Sequence, residues 1–384
     1  MDGHQKIRVC HIASGDLWAG AEVQVYNMVS AQHLSSAIEV SVILLNQGRL
    51  ADELNRLGVE TEVIPETDRS FWNILKQADL WLSGKQIDII HSHRFKENIL
   101  TAKLLRRRRA QYIVQTVHGL GEPLRGVKRI KAGIIGGVNS YYSQRYFDRI
   151  IAVSEDIGKN VRLRFNNEKV AVVYNSVVMP TDDATINRKL IRDEFGIGDD
   201  EFVIGTAGRL TPVKAYDQFL MAAQKISEKV PQARFLIAGD GPLKTELENQ
   251  AKQLGLTEKV IFPGFRNDMA AVLASLDLFV MSSLHEGIPV VLLEAMALTR
   301  PVVVTAVGGM VEVVENGKSG RLVEAGNPQQ LADTCIELMN NTDLRTKLGL
   351  AAAERVRTVF TSANQYQRLV EIYLTLMKQS KVSM

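Results

Sequence analysis

The sequence has only two cysteines, Cys10 and Cys335, far apart in a chain of 384 residues. They form neither a disulfide framework nor a metal motif, and both fall in apolar segments, so buried thiols in a reducing compartment are expected. No stretch of about 18 apolar residues occurs, so no membrane span is expected. The polar start, Met1 to Lys6, shows no signal peptide, which fits a cytoplasmic protein. Charge of one sign is also scarce: 46 basic and 43 acidic residues leave a net charge of +3, which gives no case for a nucleic-acid partner. With 46% hydrophobic residues the chain is not disordered. No G-x-G-x-x-G follows the first apolar run, against a dinucleotide oxidoreductase. Gly15 and Gly20 have the spacing of a P-loop, but Ala21 and Glu22 stand where Lys and Ser/Thr are required,. No Asp-x-Asp triplet is present to hold a metal–diphosphate, so neither a metal nor another cofactor is expected.

What is present is alternation. Strand-like runs at 7–13, 39–45, 59–64, 87–91, 112–117, 149–153 and 169–173 are separated by amphipathic stretches such as 21–32 and 96–105. A second series lies at 202–207, 234–238, 260–263, 276–281, 301–306 and 320–323, and everything from Pro328 on reads as helix. Strands spaced by helices predict parallel sheets covered on both faces. The length favours two domains. Turn chemistry at Pro180-Thr181-Asp182-Asp183 and again at Gly196 to Asp200 places a linker at 179–200, after a first domain at 1–178 and before a second at 201–361,. The fold class is α/β: two Rossmann-like, doubly wound domains facing a cleft, with ligands beyond the C-terminal strand ends.

The most informative stretch is His285-Glu286-Gly287-Ile288-Pro289-Val290-Val291-Leu292-Leu293-Glu294. It follows a buried-strand pattern. Pro289 suits a first helical position, since its missing N–H would be unpaired there. Backbone N–H groups between Gly287 and Val290 then form an anion site at a helix N-terminus, with an acid on either side. Such a site suits a ligand with phosphates in the middle and hydroxyl-rich ends. Upstream, Gly208-Arg209-Leu210-Thr211-Pro212-Val213-Lys214 sets two cations at a strand-to-helix turn, as a diphosphate needs. Gly239-Asp240-Gly241-Pro242 is a tight turn in which Gly241 permits close backbone approach. Phe262-Pro263-Gly264-Phe265-Arg266 ends the next run, where backbone groups can read a nucleobase edge and Arg266 flank it. Gly308 and Gly309 offer backbone donors to a sugar or phosphate. In the first half, His118 ends a strand and suits a sugar hydroxyl or proton transfer. His91 and His93 lie two apart on one strand face, but no third ligand is obvious, so a metal site is not favoured.

These motifs, in this order, resemble those of the retaining GT-B glycosyltransferases of family 4 (group 1), along nearly the whole chain. Glu286 to Glu294 matches that family's E-x7-E motif. The resemblance implies that Arg209 and Lys214 bind the donor diphosphate and stabilise the leaving group. It implies that Glu286 contacts the transferred sugar, that Gly287, Ile288 and Pro289 lie under sugar and phosphate, and that Glu294 holds the ribose. His118 matches a strand-end His near the donor sugar. Gly20 lies in a glycine loop where the family usually has Gly-Gly and this chain has Ala19-Gly20. Asn175-Ser176 stands where the family often has Asn-Gly. The last helix, 362–378, is expected to fold back onto the first domain. The function implied is metal-independent transfer of a hexose from a nucleotide diphosphate sugar, UDP-sugar favoured, to a hydroxyl acceptor such as a lipid-linked or cell-surface glycan. A nucleotide-sugar 2-epimerase of the same fold and a non-catalytic nucleotide-sugar-binding scaffold are the alternatives. Two basic clusters, Arg106 to Arg109 and Arg125, Lys128, Arg129 and Lys131, the second leading into Ile134, Ile135 and Val138, allow a peripheral contact with an anionic membrane. That would place the protein at the inner face of a membrane.

Overall fold

A computed structural model describes residues 6–67, 69–119, 127–180 and 188–382. The chain divides into two compact units, Met1–Ser176 with Ser362–Met384, and Val177–Thr361.

The first unit holds a parallel sheet of β1 (Ile7–Ala13), β2 (Ile38–Leu44), β3 (Glu60–Val63), β4 (Ile89–Ser92), β5 (Tyr112–Val117), β6 (Arg149–Ala152) and β7 (Val170–Val172) in the order β3-β2-β1-β4-β5-β6-β7. The strands are rich in Val and Ile, whose branched side chains pack well on a pleated surface. Side-chain caps start several helices: Ser70 accepts from the Asn73 N–H and Ser154 from the Ile157 N–H, satisfying donors that a helix leaves unpaired. The helix Ser362–Val382 returns to this unit. Leu369, Ile372, Tyr373 and Leu376 form one apolar stripe on it and are buried with Ile7, Val25 and Met28. Each such aliphatic side chain contributes about 1.5–3 kcal/mol on burial.

The second unit holds β8 (Phe202–Ala207), β9 (Ala233–Ala238), β10 (Val260–Gly264), β11 (Leu278–Met281), β12 (Val302–Thr305) and β13 (Arg321–Val323), parallel, in the order β10-β9-β8-β11-β12-β13. In each sheet the order reverses once, at β1/β4 and at β8/β11. In open α/β sheets these switch points leave a crevice beyond the C-terminal strand ends.

The stretch expected as a linker contains a helix, Arg188–Glu194. Its Arg188 and Arg192 both pair with Asp277, at 2.6 Å each, and Arg192 also donates to the carbonyls of Ser275, Gly198 and Glu201. These bonds make it part of the second unit. Turn residues on both sides concealed a helix too short to show a periodic pattern. Both cysteines are free and buried, and burial raises the Cys10 thiol to about 12. Among the described residues no helix is long and apolar enough to cross a membrane.

Candidate active site

The β8/β11 switch point gathers the charged motif residues of the second unit. After β8 the chain turns through Gly208 and Arg209 into a one-turn helix, Pro212–Lys214. Three bonds tie this turn to the end of β11: the Leu284 N–H donates to the Val213 carbonyl at 2.8 Å, and the Ser282 hydroxyl lies 3.1 and 2.9 Å from the carbonyls of Lys214 and Ala215. They bring Lys214 to Glu286, where Nζ donates to Oε1 at 2.6 Å. The Ser283 hydroxyl donates to the same oxygen at 2.7 Å. Arg209 is exposed and makes no ion pair among the described residues. The site thus holds one engaged cation, one unengaged cation and a carboxylate.

The glycines act differently from expectation. The Gly208 N–H donates to the Ala238 carbonyl at 3.0 Å and the Gly309 N–H to the Glu286 carbonyl at 3.0 Å, while the Gly241 N–H lies 2.7 Å from its neighbour's carboxylate, Asp240 Oδ1. None of these amides is left to serve a ligand. What the missing side chains permit is close approach of one strand-end loop to another. A Cβ on Gly241 would lie 2.7 Å from the Leu210 backbone, and one on Gly308 only 2.0 Å from the Glu286 carbonyl oxygen. Gly308 therefore lets its loop lie against the backbone of Glu286.

Helix Val290–Ala297 follows Glu286. Pro289 is its cap, not its first residue, with φ −70° and ψ 126°; the loop is extended one residue further than expected. The side chains of Ile288 and Pro289 are buried, so any contact with a ligand there goes through backbone. The first-turn amides have no partner inside the helix, and the dipole favours an anion there. Glu294 is the fifth residue of the helix. Burial, the only cause acting on its carboxyl, raises it to about 7. A carboxyl withdrawn from water beside a helix N-terminus is a natural acceptor for a pair of hydroxyls. Because its folded-state value lies above the ordinary one, Glu294 adds stability at low pH that is lost as pH rises through about 7,. Ionised, it accepts two hydroxyl bonds; neutral, it accepts fewer. Affinity for a nucleoside diphosphate is expected to fall about ten-fold from pH 8 to pH 6 relative to Glu294→Gln, following the ionised fraction. Calorimetry on both proteins checks it; parallel pH profiles would remove Glu294 from the ligand.

Phe265 is 53% exposed and available to a base. Arg266 is not. Its guanidinium binds Glu194 at 2.6 and 3.0 Å and Asp268 at 2.8 and 2.7 Å, which uses Nε and both terminal nitrogens. Its structural task is to hold the helix Arg188–Glu194.

In the first unit, Gly20 is the first residue of the helix Gly20–His33, with Ala19 as cap. At the β1/β4 switch point sits a cluster of four histidines that the sequence reading did not assemble. His11 of β1 pairs in register with His91 of β4, and His93 lies two residues on, beyond the strand. His11 Nε2 lies 2.9 Å from Gln32 Oε1, His11 Nδ1 2.9 Å from His93 Nε2, and His93 Nδ1 3.1 Å from His118 Nε2. His91 is held separately, with Nδ1 2.7 Å from the Tyr373 hydroxyl and Nε2 2.7 Å from Thr116 Oγ1. His11, His91 and His93 are close enough to suggest a metal site. In the ligand-free chain, however, all six of their ring nitrogens have protein partners, and the His91 and His93 rings stack at 21°. Burial depresses all four imidazoles: His11 to about 4, His118 to about 3, and His91 and His93 well below the usual range. His118 Nδ1 is withdrawn from water and has no partner among the described residues. An orphaned acceptor of this kind costs about 1–3 kcal/mol until something bonds to it.

Of the first basic cluster, Arg107 and Arg109 both pair with Asp79, at 2.8 and 2.6 Å, which offsets one of its positive charges. In the second, Arg125 and the side chains of Lys128, Arg129, Lys131 and Ile134 lie outside the described residues. Ile135 and Val138 are each 40% exposed on the helix Val127–Tyr146.

Comparison with known proteins identifies these units. Residues 187–355 match the family model for glycosyl transferases group 1, and residues 18–179 that for Glycosyltransferase Family 4. An uncharacterised glycosyltransferase of Methanocaldococcus jannaschii is 30% identical over 314 residues, 77% of either chain. A UDP-Gal:alpha-D-GlcNAc-diphosphoundecaprenol alpha-1,3-galactosyltransferase of Escherichia coli is 24% identical, with 97% of this chain and 98% of that one aligned. Among solved structures, Anabaena HepE in complex with UDP and glucose superposes with a TM-score of 0.84 at 21% identity, over 96% of this chain and 100% of that one. With two parallel sheets wound as described and both halves matched, the chain belongs to the group 1 glycosyltransferases of GT-B fold.

Proposed function

We propose that the protein transfers a hexose from a UDP-sugar to a hydroxyl acceptor, with retention of anomeric configuration. The observation that carries this reading is the Lys214–Glu286 pair, 2.6 Å long, set beside an unengaged Arg209 and the N-terminus of the helix Val290–Ala297. An arriving diphosphate competes for Lys214 and releases Glu286 to accept sugar hydroxyls. As the bond from the anomeric carbon to the phosphate oxygen breaks, charge grows on the leaving diphosphate. Arg209, Lys214 and the helix amides stabilise it there, fixed before the reaction starts. In this reading no metal takes part. The acceptor oxygen forms the new bond on the same face, and its proton passes to the leaving phosphate. Glu286 and Glu294 then divide the donor, sugar to one and ribose to the other, and neither serves as general acid or base. UDP is favoured because the superposing Anabaena protein was solved with UDP. A lipid-linked acceptor is favoured because the Escherichia coli relative acts on a diphosphoundecaprenol-linked sugar; such an acceptor suits a protein working at the inner face of a membrane.

A thermal-shift panel of nucleoside diphosphates and their sugars tests the donor, since a ligand that binds only the folded state must raise the melting temperature. UDP and one UDP-sugar are expected to give the largest shifts, unchanged by EDTA. No response to any nucleoside diphosphate would sink the reading. Acceptor-free release of nucleotide with an altered sugar would replace it by the epimerase.

A further inference from the structure

The histidine chain of the first unit has a direction. Its anchor is Gln32, on the helix Gly20–His33, whose Oε1 lies 2.9 Å from His11 Nε2. An amide oxygen only accepts, so His11 carries its proton on Nε2. A neutral imidazole has one donor and one acceptor nitrogen, so His11 Nδ1 is a bare acceptor. His93 Nε2, 2.9 Å away, must then donate, which leaves His93 Nδ1 bare. The same step repeats at 3.1 Å: His118 Nε2 donates, and His118 Nδ1 is left as a lone pair. That atom is the one withdrawn from water without a partner among the described residues. The near-parallel His11 and His93 rings, 17° apart, hold the chain in line.

The strand geometry explains how this is built. His11 faces His91 across the β1/β4 pair, and His91 faces Val114 of β5. Residues two apart share a face, so His93, Thr116 and His118 join His11 on one side of the sheet. His91 is kept out of the chain by Thr116 and Tyr373, which take both its nitrogens. Burial keeps each ring neutral, and the nearby Arg94 acts in the same direction on His93 and His118, so no link is doubly protonated.

We propose that Gln32, through His11 and His93, fixes the tautomer of His118, so that His118 presents Nδ1 as a hydrogen-bond acceptor for a ligand hydroxyl. Gln32, His11 and His93 are positioning residues; His118 alone touches the ligand. The second half of this statement rests on the UDP-sugar reading above, and the first half does not. The chain also sets a limit on chemistry: His118 held in this form accepts a hydrogen bond and does not donate a proton from Nδ1.

Nitrogen NMR of the full chain with 15N-labelled histidine tests the tautomer without any turnover. The chain has seven histidines, and the His118 signals are those lost in His118→Asn. In the free wild-type protein His118 is expected as a single Nε2–H tautomer with an unprotonated Nδ1. A proton on His118 Nδ1 would mean that the Gln32 amide is turned and the chain reversed, and would overturn the proposal. Gln32→Met, and one link nearer His11→Leu, are expected to mix the two His118 tautomers. An unchanged tautomer in a folded variant would likewise overturn it. Saturation with UDP-glucose is expected to shift the His118 Nδ1 signal and saturation with UDP to leave it in place; no shift with UDP-glucose removes the hydroxyl contact. In Gln32→Met, kcat/KM for the sugar donor is expected to fall roughly ten-fold, the worth of one hydrogen bond, with UDP affinity unchanged. A purely structural role would lower both or neither. Absence of any transferase activity alongside the expected wild-type spectrum would count against the UDP-sugar reading and leave the tautomer chain standing.

Discussion

Lys214→Ala is expected to lower kcat by about 10²–10³-fold, the usual cost of removing one donor fixed on developing charge. Folding should survive. The Lys214–Glu286 pair is neither fully exposed nor fully buried, at 19% and 12% side-chain exposure. Its loss therefore costs more than the ~0–1 kcal/mol of a surface pair and less than the 3–5 kcal/mol of a buried one. Glu286 keeps its bond from Ser283, and the melting temperature should drop by only a few degrees. Arg209→Ala should be as damaging to turnover and nearly silent in stability, because Arg209 is exposed. The two variants differ in one respect. Without Lys214, Glu286 is free of its cation in the unliganded protein, so sugar contacts no longer compete with an ion pair. Lys214→Ala should thus lose more in kcat than in donor affinity, while Arg209→Ala should lose both. Steady-state kinetics beside thermal melts separates these effects. Near-normal transfer by both variants would end the assignment of the diphosphate to this turn.

The strands were legible in the sequence because parallel strands buried on both faces read as unbroken aliphatic runs, bounded by polar turns. All of 278–281 and 302–305 is buried, and both runs stand out without knowledge of the fold. The charged half of the second-unit site was legible for a related reason: Arg209, Lys214 and Glu286 follow strand ends, and Glu294 interrupts the apolar run of a helix. What the letters did not carry was which group faces which. Arg266 looks like a ligand residue from its place after β10, yet two carboxylates distant from one another in sequence, Glu194 and Asp268, claim it. Ser283 looks like part of a turn until its hydroxyl is seen on Glu286. The histidine chain joins residues from β1, a helix and the ends of β4 and β5, and only sheet order brings them together. One signal was present: His11 is a polar residue inside the apolar run Ile7–Ala13 of a central strand, and a buried polar group there needs a partner. Gln32, on the helix that covers that face, supplies it.

Gly308→Ala is expected to destabilise the second unit by about 2–4 kcal/mol and to remove most activity, although no ligand contact is deleted. The glycine has φ +50°, a left-handed conformation that costs an alanine about 1–2 kcal/mol. Its new Cβ would stand 2.0 Å from the Glu286 carbonyl oxygen and 3.1 Å from the carbonyl carbon. Both are backbone atoms, so no rotamer change relieves the contact and one of the two loops must move. The bond from the Gly309 N–H to that same carbonyl, 3.0 Å long, is strained or lost with it, about 0.5–1.5 kcal/mol more. At roughly 2–4 °C per kcal/mol for a unit of this size, the melting temperature should fall by about 4–16 °C. The effect on turnover follows from Glu286 being carried on the displaced loop, since a misplacement of about 1 Å can cost 10²-fold. Gly326→Ala is the control. Its φ is +74° and nothing lies within 4 Å of its added Cβ, so it should show the conformational cost alone, with full activity. If Gly308→Ala behaves like Gly326→Ala, the loop after β12 does not set the position of Glu286. If instead activity falls in Gly308→Ala far beyond its loss of stability, while UDP binding persists, then the loop after β12 sets the position of the Glu286 carboxylate.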